Sequence, residues 1–270
     1  MSRRAAIAAI AFAAAGAAAG AAHAQASLSL AEERANATFY GGGLALNKGF
    51  TNRYFGGVFA NQYVDGLGIH LDVNDVAREQ NAAFAALGIS WQVAPGIRPK
   101  VMLGSSTNNS DIAPETYASA QVQIRPTSDT RTIITPSVTY ERFRNGGSET
   151  TPGVDAVYYF SIPSDMNGYY VLQAGANVGF NNTHSDSWTV GGGLQTVRAN
   201  GLSFGAYADG GHMVYNAILG VPGEQTDFYS IRPSIGFRFT PEYEVFVRGE
   251  YTHTGFYDAT GGILGFKITF

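Results

Sequence analysis

The chain closes on GGILGFKITF, in which Leu264, Phe266, Ile268 and Phe270 form one row and Ile263, Gly265, Lys267 and Thr269 the other. A period of two marks a strand lying between two different environments. The same alternation recurs upstream. Tyr229, Ile231, Ile235, Phe237 and Phe239 share one face, and Arg232, Ser234, Gly236 and Arg238 share the opposite one. Tyr243, Val245, Val247 and Tyr251 alternate with Glu244, Phe246, Arg248, Glu250 and Thr252. Ala120, Val122 and Ile124 alternate with Gln121, Gln123 and Arg125, and Leu67, Ile69, Leu71 and Val73 with His70, Asp72 and Asn74. The pattern predicts about 14 strands (range 12–16), near 38–46, 50–62, 66–74, 81–93, 97–105, 115–125, 131–143, 151–162, 167–180, 187–198, 201–214, 227–239, 242–254 and 258–270.

The connections fall into two kinds. Those after even strands are short and built from breakers, as in Ala94-Pro95-Gly96, Pro163-Ser164-Asp165, Ala199-Asn200-Gly201 and Thr240-Pro241-Glu242. Proline presets φ, glycine and asparagine accept left-handed conformations, and aspartate and serine close side-chain turns. Those after odd strands tend to be longer and polar, as in NDVAREQ (74–80), SSTNNSDIAP (105–114), RNGGSET (144–150), NNTHSDS (181–187) and NAILGVPGEQT (216–226). Short turns on one side and long loops on the other are the asymmetry of an outer-membrane barrel, and an even strand number puts both termini in the periplasm. Pro99, Pro136 and Pro233 fall inside strands, where a proline forfeits a ladder hydrogen bond, so bulges or local breaks are expected there.

Composition separates a membrane barrel from a secreted β-sandwich. Charged residues make up 14% of the chain, against about 25% in soluble domains. The 34 glycines, 15 tyrosines and 17 phenylalanines, with no apolar run of helix-spanning length after residue 24, suit a chain that crosses a membrane as strands. The fold class expected is all-β: a transmembrane antiparallel up-and-down β-barrel in the cell outer membrane of a Gram-negative bacterium. Apolar rows face lipid, because a charge near mid-bilayer costs roughly 2–4 kcal/mol there, and polar rows line the lumen. Aromatics near strand ends, among them Tyr40, Tyr54, Trp91, Tyr140, Tyr158, Trp188 and Tyr251, are expected in interfacial girdles.

The first residues read as a secretory signal: Arg3 and Arg4, an alanine-rich apolar stretch, then Ala22-His23-Ala24 as a small-x-small cleavage site. The domains expected are therefore a signal peptide (1–24), a short periplasmic segment (25–36) and the barrel (37–270). Without Arg3 and Arg4 the 17 basic residues fall to 15 against 21 acidic ones, giving a net charge of about −6 that speaks against nucleic acid as a partner. The absence of cysteine excludes disulfides, a lipidated Cys and Cys-ligated metal. The terminal row Phe266, Ile268, Phe270 resembles the C-terminal signal that the barrel-assembly machinery reads in bacterial outer-membrane proteins. Outer-membrane lipid and lipopolysaccharide are the surroundings a barrel implies.

The stretch from Arg98 to Phe160, with TPSVTYERFRNG at 135–146 and DAVYYF at 155–160, resembles the YaiO-type outer-membrane barrels. The likeness extends over about residues 90–270. It implies a porin-like barrel similar to the barrel domains of cellulose and other exopolysaccharide exporters. The implied role is a channel or accessory barrel in glycan export, with a glycan and a separate periplasmic export partner. The alternatives are a general small-solute porin, and a non-transporting surface barrel serving as adhesin or phage receptor.

Candidate lumen and selectivity residues are Arg232, Arg238, Glu244, Arg248, Glu250 and Lys267 on strands twelve to fourteen, and the basic cluster Arg98, Lys100 and Arg125 on strands five and six. Charged rings tune ion passage; the plainer alternative is a mutually neutralising network that holds neighbouring strands together. Phe228 and Phe246 are candidate sugar-stacking rings. Inward glycines such as Gly191, Gly193, Gly205 and Gly236 either relieve crowding or leave room for a plug or substrate. No catalytic motif, metal-spaced cluster or phosphate loop stands out, so neither an enzyme nor a cofactor is expected. Ser185 and Asp186 adjoin His184 in a polar loop, and adjacency in a loop is not a triad. Asp72 and His70 share the inward face, where a buried hydrogen-bonded pair is expected.

Overall fold

The computed structural model describes residues 35–48, 52–64, 66–77, 82–107, 113–126, 131–162, 165–182, 186–215 and 224–270. The signal peptide, the segment up to residue 34 and the His184–Ser185 pair lie outside the described residues. Fourteen strands run β1 (Asn36–Leu46), β2 (Arg53–Val64), β3 (Leu67–Ala77), β4 (Ala82–Trp91), β5 (Ile97–Ser106), β6 (Thr116–Ile124) and β7 (Thr132–Arg142). They continue as β8 (Ser148–Ile162), β9 (Asp165–Asn181), β10 (Ser187–Val197), β11 (Leu202–Tyr215), β12 (Glu224–Arg238), β13 (Tyr243–Thr254) and β14 (Asp258–Thr269). Each pairs antiparallel with its sequence neighbours, and β14 closes on β1, so no edge is left open. Closure is what a strand protein in lipid requires, since hydrocarbon offers no partner for a free N–H or C=O. At the seam the Phe270 N–H donates to the Ala35 carbonyl at 2.7 Å, which makes the terminal residue part of the wall.

The expected faces hold. Leu71, Leu87 and Leu103 lie opposite one another across β3–β5 and are exposed on the outer surface. Tyr54, Tyr140, Trp188 and Tyr251 stand on the outer surface toward one rim, Trp91 and Tyr158 toward the other. Tyr40 departs from the expectation. It pairs with Gly57 on the lumen face and its ring lies over that glycine, while its neighbour Phe39 takes the lipid side.

The loop asymmetry is weaker than the sequence suggested, because the strands run further outward. Strand β3 continues to Ala77, β8 starts at Ser148 and β12 at Glu224, so parts of three expected loops are ladder. The β8 and β12 extensions are polar on both faces, as befits wall that rises beyond the hydrocarbon, whereas the β3 extension adds Val76, which packs on the Ala82–Phe84 cluster. Two of the three strand prolines coincide with breaks and none with a bulge, while Pro99 keeps its place in the β5–β6 ladder opposite Val122. The β6–β7 ladder is interrupted between Gln121↔Ser137 and Ile124↔Ile134, beside Pro136, and the β12–β13 ladder between Ile231↔Tyr251 and Ser234↔Arg248, beside Pro233. Register is kept across both gaps. Among the described residues the one register shift, between Ser161 and Ile162 on β8, lies elsewhere.

Candidate functional site: the barrel lumen

Fourteen strands enclose more space than the eight-stranded barrels that side chains fill, and less than the 16–18-stranded porins. Because barrel strands tilt by roughly 35–45°, a level cut at mid-height passes, through the registers, Tyr40, Asp72, Met102, Ser137, Gly175, Tyr207 and Arg248. The wall is not uniform. From β7 to β10 its inner surface at this height is made of small residues and one aspartate: Ser137 faces Gly153, and Asp155, Gly175 and Gly191 run in one register row. Asp155 and Asn177 on this sector are exposed. From β11 round to β5 the inner surface carries Tyr207, Arg232, Arg248, Tyr40, Phe59 and Met102.

Several large inward side chains lie along the wall. The Tyr207 ring sits over Gly191 and Gly193, Phe246 over Gly265 and Tyr40 over Gly57, each where a Cβ would collide with the ring. These inward glycines are seats for their neighbours' rings, which answers why so many fall on the polar rows.

All six candidate residues of β12–β14 face inward. Arg232 makes a short ion pair with Asp209, both largely buried, and its guanidinium stands 5.1 Å from the Tyr207 ring centre. Asp209 was missed in the sequence, although its alternation with Tyr207 on β11 places it inward. Arg238 meets Glu244 at 3.5 Å, and Lys267 lies directly across from Glu244 on β14. Arg248 is buried between Ser234 and Ile263, and Glu250 faces Gly261. On this side two ion pairs, Arg232–Asp209 and Arg238–Glu244, join neighbouring strands.

The basic cluster is built differently. Arg98 and Lys100 face inward on β5; Arg98 stands 5.3 Å from the Tyr63 ring centre and Lys100 5.6 Å from that of Phe59. Arg125 lies beyond the end of β6, where its N–H donates to the Gly96 carbonyl at 2.7 Å and so pins a turn. His70 does not pair with Asp72. Its Nδ1 lies 2.5 Å from Asn61 Oδ1 and its Nε2 2.8 Å from Ser90 Oγ, while Asp72 accepts from Asn74 at 3.4 Å. Phe228 and Phe246 also point inward, toward opposite ends of the lumen.

Assigning the loops after odd strands to the cell exterior gives the lumen an axial polarity. Asp72, Asp155 and Arg248 stand near mid-height; of the other inward charges on the described strands, Arg98, Lys100, Arg238 and Lys267 stand in the periplasmic half against Glu244. The outer half carries Glu141, Glu149, Asp209 and Glu250 against Arg53 and Arg232. Glu141 and Glu149 face each other across β7 and β8, and Ser187 and Thr151 donate to Glu149 at 3.0 and 3.3 Å.

The closed wall, its lipid-facing apolar row and its polar lumen coincide with solved outer-membrane proteins. The chain superposes on a bacterial polysaccharide outer membrane secretin with a TM-score of 0.55, at 8% identity, over 89% of this chain and 99% of that one. This is an outer-membrane β-barrel. Pseudomonas putida OprB (TM-score 0.51, 9% identity, 88% of this chain and 93% of that one) and an outer membrane protein of Acinetobacter baumannii (TM-score 0.50, 10% identity, 88% and 99%) share the fold. No family model and no curated relative matches the sequence. At these identities the likeness concerns the fold alone.

Proposed function

We propose that this outer-membrane barrel is a channel, or the barrel component of a channel, that serves export of an exopolysaccharide of the cellulose type. The observation that carries the reading is the small-residue sector from β7 to β10, beside which Asp155 and Asn177 are exposed to the lumen. A glycan chain needs a path of steady width with hydroxyl and amide partners, and Ser137, Asn177 and Gln121 supply these groups on that side. The bare sector gives width, and the flattened aromatics opposite offer sugar-sized apolar faces. The fold likeness to a polysaccharide secretin supports the same direction, as does the resemblance of residues 98–160 to YaiO-type barrels. The partners that belong to this reading are lipopolysaccharide around the barrel, the assembly machinery acting on the Phe270 terminus, and a separate periplasmic protein that delivers the glycan.

The test is single-channel recording of the refolded barrel in planar bilayers with cello-oligosaccharides of increasing length. Discrete openings, blocked with a residence time that grows with chain length, are expected. Openings indifferent to oligosaccharide length would favour a general small-solute porin, and a folded but silent barrel would remove the channel reading.

A further inference from the structure

Three residues that are far apart in sequence meet on the periplasmic half of β2–β4. Ser90 Oγ lies 2.8 Å from His70 Nε2, His70 Nδ1 lies 2.5 Å from Asn61 Oδ1, and Asn61 Nδ2 donates to Asn36 Oδ1 at 3.2 Å. The amide of Asn61 is thereby oriented with its oxygen toward the imidazole. That oxygen accepts a proton and has none to give, so Nδ1 must carry the hydrogen and Nε2 is left as an acceptor for the Ser90 hydroxyl. The relay runs one way, from Ser90 through His70 to Asn61. A hydroxyl within hydrogen-bond reach of an imidazole that a third group orients is the arrangement of an activated nucleophile.

We infer that Ser90, His70 and Asn61 form a serine hydrolase site in the barrel wall, and that its substrate class is a carboxylic ester. Ser90 Oγ attacks the ester carbonyl carbon while its proton passes to His70 Nε2. The carbon–oxygen bond to the alcohol breaks, and the alcohol leaves with that proton. Water then attacks the acyl-serine through the same base, releasing the carboxylic acid and restoring Ser90. Lys100 lies directly across from Ser90 on β5, with its ammonium over the Phe59 ring, so it covers the hydroxyl from the lumen side. Within the export reading, the ester would be an O-acyl group on the passing glycan; that clause alone rests on that reading.

The site has a floor and a cover. Gly68 is the floor: a Cβ there would collide with Ser90 Oγ, Tyr63 Cε1 and His70 Nε2 together, so only glycine lets the three converge. Ser90 and His70 are 1% and 3% exposed. The groups packed around them toward the lumen are side chains: the Tyr63 ring, edge-on to His70 at 5.7 Å with Arg98 over it, and Lys100 leaning toward Phe59. Access requires these covering side chains, Lys100, Arg98 and the Tyr63 ring, to change rotamer, which moves no backbone.

The test is treatment of the refolded full-length barrel with a fluorophosphonate, mapping any adduct by mass spectrometry, alongside hydrolysis of p-nitrophenyl acetate. A single adduct on Ser90 is expected, slowed at least tenfold by His70→Gln and faster in Lys100→Ala, with ester hydrolysis that saturates and is lost on labelling. A buried structural relay would leave both wild type and Lys100→Ala unlabelled, and that result overturns the inference. So does an adduct whose rate ignores His70→Gln. Conductance of the same preparation reports on the channel separately, so a failure of either reading is recognised by itself.

Discussion

Two polar regions of the lumen hold charge by opposite means. On β11–β14 cations meet carboxylates: Arg232 with Asp209, and Arg238 and Lys267 around Glu244. On β2–β5 the cations Arg98 and Lys100 stand over aromatic rings, and His70 is held by an amide and a hydroxyl. The first arrangement neutralises itself and ties strands together. The second sets its cations over aromatic rings beside the Ser90–His70–Asn61 chain, with Asp72 on the same inner face. The ion-paired side is therefore read as wall and the aromatic-supported side as a site.

The largest expected effect breaks the first region. Asp209→Asn leaves the buried Arg232 charge without its carboxylate, which costs about 3–5 kcal/mol and appears as a lower midpoint in urea unfolding followed by the heat-modifiable gel shift. Leu87→Arg supplies a yardstick from the outer face of the same wall, with an expected loss of roughly 2–4 kcal/mol near mid-bilayer in the same assay. Asn61→Ala removes the acceptor from His70 and is expected to cost about 1–3 kcal/mol in that assay; a loss as large as that of Asp209→Asn would mean the two regions do the same job. Arg238→Gln is the smallest. Arg238 is 39% exposed and its contact with Glu244 is long, so at most about 1 kcal/mol should be lost, with an unchanged gel shift at room temperature.

How much of this was legible in the sequence depends on the range of each interaction. Strand number and the inward placement of Arg232, Arg248 and Lys267 follow from a period of two, which each segment carries by itself. Loop limits did not follow. Residues such as Ser148–Thr151 and Glu224–Thr226 form ladder above the lipid, where no apolar row is demanded and the alternation fades. Tyr40 was misplaced because Phe39 and Tyr40 are adjacent aromatics, and register alone decides which of them meets lipid. The Ser90–His70–Asn61 relay needs three strands in their true register, and no local pattern announces it. Glu141 and Glu149 were within reach of sequence reasoning: they sit symmetrically about the RFRNGGS turn, which sets them opposite each other on one face.

The central claim is that the lumen is open along the bare sector from β7 to β10. The chain contains no cysteine, so a single introduced thiol is a clean probe. The direct measurement is single-channel current through Ser137→Cys and, opposite it, Ala86→Cys, before and after a membrane-impermeant methanethiosulfonate is added. The account predicts a stepwise, irreversible fall in current at Ser137→Cys and little change at Ala86→Cys. Equal effects at both positions, or no current in either folded variant, would contradict it.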